Sequence, residues 1–344
     1  MSAKFIKFIK ISALIFSLSI IQDNELLARD YIKIVGSSTV YPFATIIAED
    51  FSHDGKFKTP IVESTGTGGG IKLFCGGIGE NHPDFVNASR KITEAEIKKC
   101  NENGIKSIAE IKIGYDGIII ADSKTAQNFD LTKEQLFLAV ADQIPSDGKL
   151  IKNNYTKWNE INKSFPNQEI AIYGPPTTSG TRDAFAELIM EEVCVNIPEF
   201  ISAYPDKDAR KKICHIIRTD GKYIEAGEND NLIVAKLKTN SKAFGIFGYS
   251  FLAENKNAIK ALKINNVEPN FENILSGKYG ASRPLFIYMK QEHIDLVPGM
   301  REFAQKIISA DMIGNKGVLV QNGLIPMNEK ELKQNAKKIN DLQK

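Results

Sequence analysis

Short apolar runs alternate with segments of helical periodicity along most of the chain. YIKIVG (31–36), PIVEST (60–65) and DFVNAS (84–89) are rich in β-branched and apolar residues, and a helix-like segment follows each of them. β-Branched runs favour strands, whereas apolar residues spaced three or four apart favour helices. This repeated strand-to-helix order predicts an α/β fold with largely parallel sheets.

The same reading predicts the remaining elements. Thr93 and Glu96 have the spacing of a capping box, so a helix is expected to begin there and run to Cys100. A polar loop that contains the only tryptophan, Trp158, is expected after residue 141. Further strands are predicted at 111–123, 169–174, 243–252 and 283–290. Helices are predicted at 42–51, 69–74, 131–141, 181–193, 199–218, 229–238 and 298–309, with a surface helix or frayed end at 329–344.

The N-terminal segment differs from the rest of the chain. Three lysines precede an apolar run, ISALIFSLSII (11–21), and Ala28 follows after a short polar stretch. This is the pattern of a secretory signal peptide, and the run is shorter than the roughly 20 residues of a membrane-spanning helix. We therefore predict that residues 1–28 are a signal peptide, that cleavage follows Ala28, and that the mature protein is exported.

Length and charge set broad limits on the function. The chain has 344 residues, of which 42% are hydrophobic and 25% charged. A chain of this length is expected to form about two domains of roughly 150 residues each. Without residues 1–28 there are 41 basic and 40 acidic side chains, so the mature chain carries almost no net charge. This balance indicates no nucleic-acid partner, and any anion site must depend on local groups.

The four cysteines predict disulfides rather than a metal site. None of them forms a CxxC pair, and no histidine lies at ligand spacing beside two of them, so no metal is expected. An even number of cysteines in an exported protein favours two disulfides, for which three pairings are possible. Bonds between sequence neighbours, Cys75–Cys100 and Cys194–Cys214, are the simplest pairing, and a reduced, buried set is the alternative.

Three predicted strand-to-helix turns share an unusual composition. They are GSSTVYP (36–42), ESTGTGGGIK (63–72) and TTSGTRD (177–183), and Ser89-Arg90 ends another predicted strand. A helix start has unpaired backbone N–H groups and a partial positive charge, and nearby hydroxyls and glycines suit the close approach of an oxyanion. Each turn alone could be a plain helix cap, but the three together predict an anion site beyond the carboxyl ends of the strands.

The motifs of familiar phosphate enzymes are missing from the sequence. There is no GxxxxGK[ST], no GxSxG, and Ile71 stands where the last glycine of GxGxxG would be. The histidines have no partner at catalytic or metal-ligand spacing and are predicted to be surface residues: His53, His82, His215 and His293. The sequence thus offers many hydrogen-bond donors without an obvious base or nucleophile. This favours binding over catalysis, and no cofactor is predicted.

Several segments resemble one protein family in its own order. The chain is similar to the periplasmic phosphate-binding proteins of ABC phosphate importers in IVGSSTVYPFATIIAEDF, STGTGGGIKLFC, DFVNASRKI, GPPTTSGTRDAF, ENDNLIV and GIFGYSF. The resemblance implies a two-lobed periplasmic-binding-protein fold, with two crossing strands and one dehydrated phosphate in the cleft between the lobes. It also implies a periplasmic monomer that binds inorganic phosphate, passes it to an inner-membrane ABC permease and performs no chemistry on it.

The resemblance further implies lobe boundaries and ligand residues. Crossings near 121–122 and 284–285 would give a discontinuous first lobe, 29–121 and 285–344, and a second lobe, 122–284. By matching motifs, the phosphate ligands of the first lobe are Ser38, Thr39, the Val40 amide, Thr67, Gly68, Ser89 and Arg90. Those of the second lobe are Ser179, Gly180, Thr181 and Arg182.

Two positions depart from part of that family. Some members have an aspartate where Arg90 falls, and it accepts the proton of hydrogen phosphate; they also have an arginine where this chain has Pro175. Sulfate carries no proton at neutral pH, so a carboxylate that faces it stays unpaired and repels it. The sequence leaves three unranked candidates for a replacement acceptor: Asp183, Asp116 and Glu63.

Other functions remain open at this stage. The nearest alternative is a binding protein for another oxyanion, such as sulfate, arsenate or a phosphonate. A secreted phosphomonoesterase would need Ser38 or Ser179 as its nucleophile and lacks an obvious base. A surface adhesin or sensor that uses the same cleft is a further alternative.

Overall fold

The computed structural model describes residues 29–126, 129–177, 179–226 and 230–341. The predicted signal peptide, residues 1–28, lies outside these ranges. Within the described ranges, no helix combines the length and the apolar character that crossing a membrane would require.

The strands lie close to where the hydrophobic pattern predicts them, with four additions. The strands are β1 Lys33–Gly36, β2 Ile61–Ser64, β3 Phe85–Ala88, β4 Ile108–Ser123, β5 Gln143–Ser146, β6 Lys149–Lys152, β7 Ile172–Gly174, β8 Tyr223–Glu225, β9 Phe244–Gly248, β10 Ile259–Ala261 and β11 Ser282–Lys290. The additions are β5, β6, β8 and β10. The hairpin β5–β6 lies in the segment predicted as a polar loop.

The predicted helices are present, several of them in shorter pieces. The end of the predicted strand 243–252 is instead helical, Tyr249–Glu254. Four short helices were not predicted: Trp158–Ile161, Phe271–Leu275, Ala310–Ile313 and Val318–Gln321. The helices are α1 Tyr41–Ser52, α2 Thr67–Phe74, α3 Glu94–Glu102, α4 Lys133–Val140, α5 Trp158–Ile161, α6 Gly180–Phe185, α7 Glu192–Cys194, α8 Pro198–Ala203, α9 Lys207–Cys214, α10 Asp230–Thr239, α11 Tyr249–Glu254, α12 Phe271–Leu275, α13 Met300–Ile307, α14 Ala310–Ile313, α15 Val318–Gln321 and α16 Glu329–Asp341. A π-helical segment, Ala186–Glu191, joins α6 to α7. The predicted capping box is present, since Thr93 and Glu96 bond each other's backbone.

One continuous sheet joins two halves of the molecule. Its order is β2-β1-β3-β11-β4-β9-β7-β8, with β10 also paired to β4. The pairs β1–β2, β1–β3, β7–β8 and β7–β9 are parallel, but β11 runs antiparallel to β3 and β4, and β4 runs antiparallel to β9. The prediction of a largely parallel sheet is therefore wrong at the centre, because the two strands that connect the halves run in opposite directions.

The long strand β4 belongs to both halves. Its first part pairs with β11 as far as Gly117, and from Ile118 onward it pairs with β9. We call the β2-β1-β3-β11 side the first half and the β9-β7-β8 side the second half. The change of partner lies before the crossing predicted at 121–122. Apolar clusters fill both faces of the sheet in each half, so helices cover it on two sides.

Both predicted disulfides are confirmed. Cys75 bonds Cys100 in the first half, where α2 and α3 are joined, and Cys194 bonds Cys214 in the second half, where α7 and α9 are joined. The first bond thus links consecutive helices, whereas the second encloses α8 between the two helices that it joins.

One histidine is not a surface residue as predicted. His293 is fully buried, and its ring contacts Asp84 through Nδ1 at 2.7 Å while Nε2 accepts from the Gly79 amide at 3.0 Å. Arg29 donates to the same carboxylate at 2.6 Å. A residue in a polar stretch of sequence is buried here because a buried carboxylate, distant in sequence, requires partners.

A buried carboxyl on β4 leads to a stability prediction. Asp122 is 1% exposed, its carboxylate oxygens have no hydrogen-bond partner, and burial raises its pKa to about 6 despite the opposing charge of Lys260. A raised pKa means that the folded state binds the proton more tightly than the unfolded chain, so stability falls as pH rises from about 4 to 6. We expect Asp122→Asn to raise the melting temperature at pH 7.5 and to flatten its pH dependence in that window. Identical pH profiles of wild type and variant in scanning calorimetry would contradict this.

Candidate ligand-binding site

The first turn positions a buried hydroxyl at the start of α1. Ser37 Oγ accepts from the Val40 amide at 3.4 Å, and Val40 is buried in the core at the N-cap of the helix. Thr39 is 7% exposed, whereas Ser38 is only partly buried. The bond between Ser37 and Val40 therefore fixes the backbone of this turn, and the side chains of Ser38 and Thr39 are left to contact other groups.

The third turn meets the first one directly. Ser179 caps α6, and its Oγ accepts from the Thr181 amide at 3.3 Å. Ser38 Oγ donates to Asp183 across the two halves at 2.5 Å. A side chain on Gly180 would begin 3.5 Å from the carbonyl oxygen of Ser38, so the two turns are in van der Waals contact. Two of the three predicted turns thus converge from opposite halves of the molecule.

A cavity of about 410 Å³ lies at this junction. Four of its lining groups are sequence-predicted ligand residues: Thr39, Ser179, Gly180 and Thr181. Others come from α1, β4, the region of β9 and α11, and the end of α15 with the residues after it: Pro42, Phe43, Asp116, Gly248, Phe251, Gln321, Asn322 and Gly323. The lining is therefore mixed in polarity and drawn from both halves.

An arginine that the sequence analysis did not select lies beside this cavity, next to two of its lining residues, Thr39 and Asp116. Arg283, on β11, donates from Nη2 to Thr39 Oγ1 at 3.0 Å, and its Nη1 pairs with Glu187 of the π-helical segment. Its Nε lies 3.9 Å from Asp116 Oδ2. A usable signal was present, because Arg283 directly precedes the predicted crossing at 284–285, and an arginine in a crossing strand lies near the cleft.

The structure separates the three candidate acceptors. Glu63 is exposed and pairs with Lys33 at 3.3 Å, and Asp183 accepts the bond from Ser38. Asp116 lines the cavity, and its Oδ2 is buried without a hydrogen-bond partner. Burial raises the pKa of Asp116, and the nearby charge of Arg283 opposes that rise. Asp116 is the candidate that fits a proton acceptor.

The glycine-rich turn brings two other predicted residues together. Thr67 Oγ1 lies 3.0 Å from Ser89 Oγ and accepts from the Ser89 amide at 3.1 Å. Gly68, the next residue of α2, is exposed, and a side chain there would meet nothing within 4 Å. These three residues form a group at the ends of β2 and β3 and are not among those that line the cavity.

The two predicted arginines have different environments. Arg90 donates two hydrogen bonds, of 2.8 and 2.9 Å, to the carboxylate of Glu96. This hydrogen bonding raises the pKa of Arg90. Its side chain is 45% exposed, and it does not line the cavity. Glu96 belongs to the capping box of α3, and its carboxylate also accepts from the Thr93 amide, so one carboxylate holds both groups.

Arg182 is buried behind the third turn. Its guanidinium stacks over the Tyr223 ring at 4.5 Å, donates to the Pro175 carbonyl at 3.2 Å and lies 3.6 Å from Glu225. Tyr223 donates to the same carbonyl at 2.8 Å. These contacts brace the turn that carries Ser179, so the side chain supports the turn from below rather than lining the cavity. Among the residues that the structure describes, no group of three histidine, cysteine, aspartate or glutamate side chains is arranged to hold a metal ion.

Comparison with known proteins places these features in a family. Residues 23–311 match the family described as a PBP superfamily domain. The chain is 31% identical to the protein SphX of Synechococcus elongatus over 263 residues, covering 75% of this chain and 67% of that protein. It is 29% identical to the phosphate-binding protein PstS of Staphylococcus saprophyticus over 314 residues, covering 89% and 83%.

Solved structures agree with the fold. A possible phosphate binding protein from Planctomyces limnophilus superposes with a TM-score of 0.73 at 28% identity, covering 91% of this chain and 99% of that one. An ABC-type phosphate transport receptor from Vibrio cholerae superposes with a TM-score of 0.56 at 19% identity, covering 86% and 100%, and this likeness concerns the fold alone. The α/β, two-lobed fold that the sequence motifs implied is confirmed.

Proposed function

The chain belongs to the PBP superfamily, and from that premise we propose that it is an exported binding protein that captures inorganic phosphate and delivers it to an ABC permease. Its relatives named for phosphate binding, PstS above all, support the ligand class. The family is one of binding proteins for transport, which accords with a function in binding rather than catalysis. We further propose that the mature protein acts in the periplasm as a monomer.

One observation carries the proposal for this chain. The turns that hold Ser38 and Thr39 in one half and Ser179 to Thr181 in the other meet at a single cavity beside two helix starts. Backbone N–H groups at helix starts and hydroxyl donors suit an anion with several oxygens. A ligand between two halves draws them together, because each half gains contacts only when the cleft closes. The bond from Ser38 to Asp183 would add to that closure.

The ligand set extends beyond the cavity lining in this proposal. Thr67, Gly68 and Ser89 stand at strand ends of the first half and would reach the anion from that side. We assign Arg182 to holding the third turn, since its nitrogens are engaged with Pro175 and Glu225. Arg90 would contribute long-range positive charge while it is held by Glu96.

The proposal is tested by replacing Thr181 with alanine. Thr181 lines the cavity, and a hydrogen bond to a charged group contributes about 1.5–3 kcal/mol. We therefore expect Thr181→Ala to weaken phosphate binding about tenfold or more in titration calorimetry, with an unchanged melting temperature. Arg182→Ala is expected to weaken binding as well, with some loss of stability because the stack on Tyr223 is removed.

The control is Thr239→Ala, which removes an exposed threonine hydroxyl from the end of α10. It should leave both affinity and stability unchanged. Wild-type protein that takes up no phosphate, or a Thr181→Ala variant with wild-type affinity, would refute the function or the assigned site, respectively. Mass spectrometry of the small anion retained by the purified protein gives an independent identification.

A further inference from the structure

A chain of three side chains joins the two halves beside the cavity. Arg283, on the connecting strand β11, donates from Nη2 to Thr39 Oγ1 of the first half at 3.0 Å. Its Nη1 donates to the carboxylate of Glu187, which lies in the π-helical segment of the second half. Neither Arg283 nor Glu187 lines the cavity. The contact between the halves therefore does not depend on an anion that lies between them.

The π-helical segment gives Glu187 its direction. Backbone bonds of a π-helix span five residues instead of the four of an α-helix, so its side chains leave the directions that a continuous α-helix would give them. Glu187 contacts Arg283 on β11. Glu191 of the same segment instead pairs with Lys211 at 2.5 Å and with His215 at 2.8 Å. The contacts of Glu191 hold the segment within the second half, and Glu187 is free to contact the strand that connects the halves.

Glu187 and the third turn belong to one helical element. α6 begins at Gly180, directly after its cap Ser179, and continues without a break into the π-helical segment. Thr181, in the first turn of α6, lines the cavity. A movement that brings Thr181 toward an anion in the cleft therefore also brings Glu187 toward Arg283. The anion site and the contact between the halves are thus coupled through one helix.

Positive charge on the opposite side favours this contact. The Arg283 side chain is only 10% exposed, so its orientation is restricted. The pKa of Arg90, in the first half, is raised chiefly by its hydrogen bond to Glu96, and the charge of Glu187 adds to that rise. A hydrogen bond between a guanidinium and a carboxylate is about twice as strong as one between neutral groups. The carboxylate of Glu187 is therefore attracted to the other half of the molecule.

Given the proposed function, on which this inference rests, we propose that Glu187 is a positioning residue that holds the halves closed through Arg283 and so slows the release of bound phosphate. Glu187 itself does not touch the anion. A contact that forms only when the halves are closed favours the closed form, and by linkage it strengthens every ligand that binds that form. Because the anion enters before the halves close, the contact acts mainly on the rate at which the anion leaves.

The sign of the effect separates this role from a simple effect of charge. A carboxylate near an anion repels it, so removing the charge of Glu187 would by itself tighten phosphate binding. Weakening the bond to Arg283 has the opposite consequence, because the closed form loses a contact. Weaker binding by Glu187→Gln therefore indicates the contact between the halves, and tighter binding indicates charge repulsion alone.

The test measures the release of radiolabelled phosphate after a chase with excess unlabelled phosphate, and the Kd by titration calorimetry. We expect Glu187→Gln to raise the release rate about tenfold, because loss of one member of a charge pair between two surfaces acts mainly on dissociation. The Kd should rise by the same factor, so that the association rate stays close to that of the wild type. The melting temperature should also stay close, because the Glu187 side chain is 40% exposed.

The matched control is Glu192→Gln. Glu192 lies in α7, which continues the same helical element, and it pairs with a buried cation, Lys133. This pair lies within the second half and does not join the halves. Glu192→Gln should therefore keep the wild-type release rate and Kd.

A double-mutant cycle shows whether the effect passes through Arg283. Lysine keeps the positive charge but lacks the fork that holds Thr39 and Glu187 together, so in an Arg283→Lys background the effect of Glu187→Gln should shrink to about twofold. An undiminished effect in that background would overturn the inference. If the wild type binds phosphate and Glu187→Gln releases it no faster than Glu192→Gln, the inference is wrong and the proposed function stands. If the wild type binds no phosphate, both are wrong.

Discussion

Gly70→Ala is expected to destabilise the protein by about 3 kcal/mol, because the new methyl group has no space. A Cβ at position 70 would lie 2.4 Å from the Cα and 2.9 Å from the nitrogen of Gly36. Gly36 cannot move away, because it lies against the backbone of Asn87. A Cβ on Gly36 would be only 2.1 Å from the carbonyl oxygen of Asn87. Backbone atoms of β1, β3 and α2 thus meet at one point. Urea unfolding followed by circular dichroism measures the loss.

The neighbouring Gly68 provides the matched control. It lies in the same helix, and a Cβ at this position would meet nothing within 4 Å. Alanine is the better helix former by about 0.5–1 kcal/mol, so Gly68→Ala should leave stability unchanged or slightly raised. If Gly68 approaches the anion as proposed, the same variant should weaken phosphate binding. Equal stability of the two variants would show that the close packing of Gly70 is unimportant.

Removing both disulfides is expected to have the other large effect on stability. They close loops with sequence separations of 25 and 20 residues, and loops of that size contribute about 3 kcal/mol each by restricting the unfolded chain. The variants Cys75→Ala/Cys100→Ala and Cys194→Ala/Cys214→Ala should each lower the urea midpoint, and the combined variant should lower it by about the sum. Total stabilities of proteins are only about 5–15 kcal/mol, so the combined loss is severe.

The single tryptophan helps to separate the two disulfides. Trp158 is buried against Phe129 and Phe244 of the second half, so its fluorescence reports on that half. Loss of Cys194–Cys214 should shift the fluorescence transition directly, whereas circular dichroism records both halves. An unfolding midpoint that is the same with and without the bonds would contradict the prediction. Reduction of the wild type with dithiothreitol gives a check that requires no substitution.

Local signals in the sequence predicted most of the elements. The capping box at Thr93 and the apolar periodicity of α1 and α13 depend on neighbours a few residues away, so they are readable from the sequence. The hairpin β5–β6 was missed although its turn, Asp147-Gly148, is a common hairpin signal. The surrounding Asn and Lys residues hid that signal, since they resemble a solvent-exposed loop.

Long-range pairing was harder to predict. Even the pairing of Arg90 with Glu96, six residues later, was missed, because Glu96 was explained only as a capping residue and not as the partner of both Nη atoms. Asp116 could be named but not ranked, and Arg283 was missed, because their proximity depends on the register of β4 against β11. That register is a property of the folded sheet, and no pattern within either segment specifies it.

The position of β11 between β3 and β4 also affects the order in which the chain can fold. Strand β3 has β11 as its neighbour, yet β11 comes near the end of the chain. During synthesis or passage across a membrane, the first three strands therefore emerge long before their last partner, and the edge of β3 stays open for pairing with other chains. A chaperone that holds the chain extended until residue 290 has emerged would suppress that hazard, and a nascent chain cut short before β11 would lack the strand that closes its own sheet.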